Sequence, residues 1–328
     1  MTLSAAGSPV RSGAILVAMA MVQAMAEAPD PILIEGETGT GKTVLARRIH
    51  ERSGRRGPFV AKTIPSIPES LQQSILFGHV RGAFTGASAD HCGLIESAQG
   101  GSLFLDEIGE AAPSTQAALL EVVEAGTITR LGEVRSRPVS VRIIAATNAD
   151  LDDNDVFRRD LLQRFGSFRI RLPPLRERRD EIIPLFCQFL AEVASQANAG
   201  ETLRTPLLDP GVEEVLLAVP WRGNIRELRK EARYAGYMSR GTWPIRFDHL
   251  SPFLQAEGEV ALERATPAVA RRHAQARLEA RALQEAEGGD IQAVAARLNV
   301  SERRVYQILA ERTIGSALPR QARPGRHH

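Results

Sequence analysis

Cysteine is nearly absent from this 328-residue chain, which holds only Cys92 and Cys187. Two cysteines so far apart cannot build a disulfide framework, which excludes the small secreted scaffolds and fits a reducing cytoplasm. His91 stands beside Cys92, but no second His/Cys pair follows at a ligand spacing, so no zinc site is expected. Lysine is almost as scarce, with Lys42, Lys62 and Lys230 against thirty-eight arginines, a bias that reflects genomic base composition rather than function. The apolar run from Ala14 to Ala26, after Arg11, imitates a signal peptide but is too short to span a bilayer; it reads as a packed N-terminal helix. A strong overall charge is missing too, since the net charge is only +2 with 24% charged residues. The basic excess sits at one end: from residue 261 onward twelve arginines face seven acids, a local +5 that leaves −3 for the rest.

Against these absences stands one dense motif. Pro31-Ile32-Leu33-Ile34-Glu35 reads as a short buried strand, running directly into Gly36-Glu37-Thr38-Gly39-Thr40-Gly41-Lys42-Thr43. The octapeptide is a complete GxxxxGK[ST] phosphate-binding loop. Its glycines let consecutive backbone N–H groups turn toward phosphates, and a helix starting near Lys42 adds its positive end. Lys42 would reach the β- and γ-phosphates of ATP, and the Thr43 hydroxyl would serve Mg²⁺. A second apolar strand, Ser102–Leu105, ends in Asp106-Glu107. In such a site one carboxylate, Asp106, holds Mg²⁺ and the other, Glu107, polarises the attacking water. A third strand, with Val139, Val141 and Ile143 in alternation, leads through Ala145-Ala146 to Thr147-Asn148, where Asn148 would sense a γ-phosphate.

Strands separated by helical stretches, each ending in chemistry, imply an α/β core whose parallel sheet is flanked by helices and lines a crevice at its carboxyl ends. This core is expected over residues 1–173. After Pro173-Pro174 the pattern turns helical, and Trp221-Arg222-Gly223-Asn224-Ile225-Arg226-Glu227-Leu228 reads as a turn opening a lid helix. A helical lid over 174–255, a linker over 256–275, an all-α helix-turn-helix domain over 276–314 and a disordered tail over 315–328 follow.

The helix-turn-helix reading rests on Ile291–Leu309, where Val294, Leu298, Val300, Val305 and Ile308 are apolar and Ala295 is small at the helix crossing. Asn299 occupies the left-handed turn position. Ser301 caps a recognition helix that shows Arg303, Arg304 and Gln307 to DNA.

These residues resemble the sigma-54-dependent transcriptional activators, or bacterial enhancer-binding proteins, a branch of the AAA+ ATPases, over about residues 30–315. The most specific element is Gly82-Ala83-Phe84-Thr85-Gly86-Ala87, the GAFTGA signature, preceded by Leu76-Phe77-Gly78-His79. Physically it is a glycine-hinged loop presenting one aromatic ring and one hydroxyl, suited to a contact finger. The resemblance implies that Phe84 and Thr85 touch sigma-54 RNA polymerase and that ATP hydrolysis drives remodelling of the closed promoter complex. It also implies self-association into a ring, a hexamer. Phe157-Arg158-Arg159-Asp160-Leu161-Leu162-Gln163-Arg164 is similar to the segment whose two arginines, here Arg158 and Arg164, reach a neighbouring subunit's ATP; Arg226 matches the sensor II arginine. The C-terminal end resembles the Fis-like domains that bind upstream enhancer DNA as dimers.

The departures carry expectations of their own. Thr63 stands after Phe59-Val60-Ala61-Lys62 where the family usually has an Asn that restrains the second carboxylate, so Glu107 is expected to be less well restrained. Ile75 and Val80 replace acids around the loop, Arg222 replaces a proline, and Thr43 stands where the family often has Glu. Two other readings stay open: a DNA-bound regulator that binds ATP with weak or no hydrolysis, and an ATP-driven DNA motor or helicase loader, for which the GAFTGA loop has no use. About thirty residues precede the phosphate loop, too few for a receiver domain. Control is then expected from expression level, a separate inhibitory protein or a related subunit.

Overall fold

A computed structural model of the chain describes Met25 and residues 28–152, 157–197 and 207–263. The helix-turn-helix reading, with Ser301, Arg303, Arg304 and Gln307, lies outside the described residues. The described residues form two compact units, the first holding those up to Glu181 together with Trp221–Leu228, the second holding those of Ile182–Pro220 and of Arg229–Glu263.

The first unit is built on five strands, β1 (Ile32–Glu35), β2 (Phe59–Thr63), β5 (Ser102–Asp106), β8 (Arg142–Thr147) and β9 (Arg169–Arg171). They lie in the order β2-β5-β8-β1-β9, every neighbouring pair parallel. Two small antiparallel ribbons pair β3 (Gly78–His79) with β4 (His91–Cys92) and β6 (Thr127–Ile128) with β7 (Arg137–Pro138).

Successive strand residues point to opposite faces, and both faces are covered. Leu33, Leu103, Leu105, Ile143 and Ala145 pack on one side with Ile95, Leu119, Val122, Leu161 and Phe165. Ile32, Ile34, Phe104, Ile144 and Ala146 pack on the other with Leu45, Ala46 and Ile49 from the helix Lys42–Arg52. Each leucine, isoleucine, valine or phenylalanine among them contributes about 1.5–3 kcal/mol on burial, so the sheet is the stable scaffold on which the loops stand. Here the alternating reading of the third strand needs correction. All six residues of β8 are buried, and Val139 and Val141 lie before its start. A central parallel strand has no solvent face, so continuous burial replaces alternation.

Arg142, at the start of β8, is fully buried, and its Nε and Nη2 donate to the carbonyls of Asp30 and Met25 at 3.0 and 2.7 Å. Burial pulls its guanidinium down to about 10. The arginine thereby ties the chain entering β1 to the strand beside it.

The second unit is helical, with Pro210–Ala218 and Pro252–Glu263 packed together and Ile182–Ala197 against Pro210–Ala218. Its apolar interior includes Phe186, Leu190, Val212, Val215, Leu216 and Leu254. Asp209 caps its helix by accepting from the Gly211 N–H at 2.9 Å, with Pro210 pre-set in the first turn.

Candidate active site

Strand order alone brings the candidate residues together, because β5, β8 and β1 are neighbours and run the same way. Their carboxyl ends deliver Asp106-Glu107, Thr147-Asn148 and the loop after Glu35 to one edge of the sheet.

The loop Gly36–Thr43 turns with Gly36, Gly39 and Gly41 at φ 153°, 83° and 105°. For Gly39 the requirement is also spatial, since a Cβ there would lie 2.4 Å from the Gly223 carbonyl. Lys42 opens the following helix and is 6% exposed. Its Nζ donates to the Gly36 carbonyl at 2.8 Å and lies 3.6 Å from Glu107 Oε1. Thr40 closes the turn by donating to the Glu37 carbonyl at 2.8 Å. Thr43 is exposed in the first helical turn.

Glu107 sits in the left-handed region, φ 56°, immediately after β5. Its Oε2 accepts the backbone N–H of Asn148 at 3.1 Å, and the Asn148 side chain donates to Thr38 Oγ1 at 3.3 Å. Thus Lys42, Glu107, Asn148 and Thr38 form one connected polar set. Thr63 is exposed and has no hydrogen bond to Glu107 among the described residues. Asp106 differs from Glu107: its Oδ1 is buried and has no hydrogen-bond partner. Burial, and next the Glu107 charge, push its carboxyl above the usual range, against the pull of Lys42 and Arg226. A buried carboxylate oxygen with no partner among the described residues is a hard donor that fits Mg²⁺, and the Thr43 hydroxyl is a second donor of the same kind.

Glu37 turns away from this set. Arg176 Nη1 and Nη2 donate to its two oxygens at 2.9 and 2.6 Å and Asn224 Nδ2 donates at 3.1 Å. These bonds, Arg176 first, lower its carboxyl to about 2. Arg226 is exposed at the same turn, where a Cβ built on Gly39 would lie 3.1 Å from its Cβ.

The loop Gly82–Ala87 is a separate surface feature, closed by the Gly82 N–H to the Ala87 carbonyl at 2.9 Å and the Ala87 N–H to the Phe84 carbonyl at 3.0 Å. Gly82 and Gly86 have φ 83° and 104° with open space around them, so backbone conformation alone requires glycine there. Phe84 is 39% exposed, its ring edge-on to His79 at 5.0 Å. His79 is stacked on His91 and shares a 2.8 Å hydrogen bond with Ser74. Thr85 is exposed, Ala83 half-buried and Ala87 buried.

Sequence reading missed the partner of this loop. The segment between β6 and β7 runs alongside it, with the Val80 N–H donating to the Leu131 carbonyl at 3.0 Å and Leu131 N–H to Gly78 at 3.0 Å. Gly132 lies against Ala83, and Val134 at the tip is 99% exposed. A fully exposed valine between two-residue strands gives no periodic signal.

Arg158 and Arg164 are both on the surface. Arg158 is paired with Asp160 at 2.6 Å and Arg164 with Glu124 at 2.7 Å.

Residues 10–171 match the Sigma-54 interaction domain and residues 176–266 the AAA+ ATPase lid domain. The chain is 46% identical over 204 residues to the pathogenicity-locus regulatory protein HrpR of Pseudomonas syringae pv. syringae, covering 61% of this chain and 64% of HrpR, just under two thirds of that relative. It is 43% identical over 231 residues to HrpS of Pseudomonas savastanoi pv. phaseolicola, covering 69% of this chain and 75% of HrpS. It is similar to NtrX from Brucella abortus solved in complex with ATP, at 27% identity and a TM-score of 0.66, over 94% of this chain and 69% of that one. With a Sigma-54 interaction domain, a parallel-sheet AAA+ core and a relative matched over three quarters of its length, the chain belongs to the sigma-54-dependent transcriptional regulators.

Proposed function

We propose that the chain is a sigma-54-dependent transcription activator that binds and hydrolyses ATP as a ring, a hexamer, and uses Gly82–Ala87 to remodel the closed promoter complex while bound to upstream DNA through residues 276–314. The observation that carries the reading is the polar set in which Lys42 Nζ and the Asn148 N–H hold the two oxygens of Glu107 beside the phosphate loop.

In this reading the amides of Gly36–Thr43 and the Lys42 ammonium neutralise the phosphates, and Arg226 adds charge from the neighbouring turn. Asp106 and Thr43 would hold Mg²⁺, which would supply charge neutralisation at the phosphates. Glu107 orients water and accepts its proton, and Asn148 reports on the γ-phosphate through Thr38 and Glu107. Arg158 and Arg164 serve a neighbour's site, exchanging Asp160 and Glu124 for phosphate oxygens. Solvent screens exposed pairs of this kind, so exchange is cheap. An arginine supplied across an interface is worth about 10³-fold or more in phosphoryl transfer. Phe84, leaning on His79, is the ring presented to sigma-54. The chain then works where polymerase and ATP meet, in the cytoplasm.

Turnover measured at rising protein concentration tests the ring. Lys42→Ala and Arg164→Ala are each expected to be inactive alone. Mixed, they should recover turnover, because one supplies the finger and the other the loop. A mixture as inactive as its components overturns the trans assignment. The rival reading, a DNA-bound regulator with weak or no hydrolysis, rests on the departures from the family's pattern at Thr63, Ile75 and Val80. Wild-type turnover no faster than Lys42→Ala at concentrations that permit assembly would favour it.

A further inference from the structure

A loop that turns its N–H groups toward phosphates must send carbonyls the other way, and those carbonyls need donors. Three consecutive ones find them in two neighbouring turns. Asn224 Nδ2 donates to Thr38 O at 3.1 Å, the Ile225 N–H to Gly39 O at 3.0 Å, and Arg178 Nη2 to Thr40 O at 3.2 Å. Ile225 contributes through its backbone, which leaves Asn224 and Arg178 as the side chains that bind this face.

Asn224 is 0% exposed and its backbone is left-handed, φ 53°, a conformation that asparagine tolerates. Its Oδ1 accepts the Leu175 N–H at 2.7 Å, while Nδ2 also serves Glu37 Oε2 at 3.1 Å. An amide N–H on one side and a carbonyl with a carboxylate on the other admit only one orientation of the amide. One side chain therefore joins the phosphate loop, the turn at Leu175 and the turn at Gly223. Two residues later comes Arg226.

We infer that Asn224 is a positioning residue of the nucleotide site, binding the carbonyl face of the phosphate loop so that its amides stay aimed at phosphate. This rests on the ATPase reading above. Asparagine is specifically required: aspartate keeps size, left-handed tolerance and the acceptor for Leu175, but it loses both donations and sets a carboxylate against Glu37. Glycine keeps the backbone and loses every side-chain bond.

The test uses the full chain, a fluorescent ADP analogue and thermal melting without nucleotide. Asn224→Asp is expected to weaken analogue binding about tenfold or more, Asn224→Gly less. Melting of the nucleotide-free protein should shift by only a few degrees in either variant. Adding Glu37→Gln to Asn224→Asp is expected to recover part of the affinity, because an amide can donate to the new carboxylate. Equal affinity of Asn224→Asp and wild type overturns the inference. So does a loss of affinity that follows the loss of melting temperature and is not recovered by Glu37→Gln. Wild type that itself fails to bind the analogue sinks the ATPase reading, and this one with it.

Discussion

The backbone N–H of Asn148 donates to Glu107 Oε2 at 3.1 Å, so the carboxylate at the end of β5 is steadied by the neighbouring strand β8. Thr63, which pairs in register with Asp106 from the other side, has no hydrogen bond to Glu107. A restraint expected from β2 is thus replaced by one from β8. Thr63→Asn would supply a longer side chain with its own donor. Basal ATP turnover is expected to fall severalfold, and stimulation by sigma-54 to increase. Steady-state turnover with and without sigma-54 measures both, and no change in either contradicts the assigned restraint.

Asp106 is a case in which a candidate metal ligand weakens the fold. Its carboxyl titrates above the usual value because burial opposes its charge. Ionised Asp106 therefore costs stability, fully so above its folded pKa, and the cost disappears as pH falls below the unfolded value. Asp106→Asn is expected to raise the melting temperature of nucleotide-free protein at neutral pH by about 2–4 °C for each 1 kcal/mol gained. The gain should shrink in acid, and Mg²⁺-dependent turnover should be lost. A variant that melts lower at neutral pH, or still turns over ATP with Mg²⁺, contradicts the assignment.

Gly132 links the exposed valine segment to the finger loop. Its φ is 79°, and a Cβ there would lie 2.8 Å from Ala83 Cβ and 3.0 Å from Ala83 Cα. Gly132→Val must displace either the Gly82–Ala87 loop or its own turn, against a left-handed penalty of about 1–2 kcal/mol. Binding to sigma-54 should weaken while ATP turnover remains within about twofold, since additivity holds for separated sites. Equal loss of turnover and binding would mean that the variant disturbs the core instead.

Legibility in the sequence followed chain proximity. Phosphate binding needs eight contiguous residues, so Gly36–Thr43 announced itself, and Asp106-Glu107 became readable as its partner at a strand end. The parallel core followed from those strands. β9 has three residues, and the ribbons two per strand, too short for any period to register. Asn224 lies in the turn Trp221–Leu228, yet its bonds reach Leu175 and Thr38, 49 and 186 positions away. Arg142 was missed for the same reason, since its partners Asp30 and Met25 lie 112 and 117 positions distant. Contacts of that separation depend on the sheet order, which local pattern does not encode.

Transcription from a sigma-54 promoter on a purified template tests the coupling of hydrolysis to the surface loop most directly. Wild type with ATP is expected to yield open complexes. Phe84→Ala should hydrolyse ATP without opening the promoter, and Lys42→Ala should do neither. If all three proteins open the promoter equally, or wild type does so without nucleotide, ATP cleavage at Lys42 and Glu107 is not what moves the polymerase.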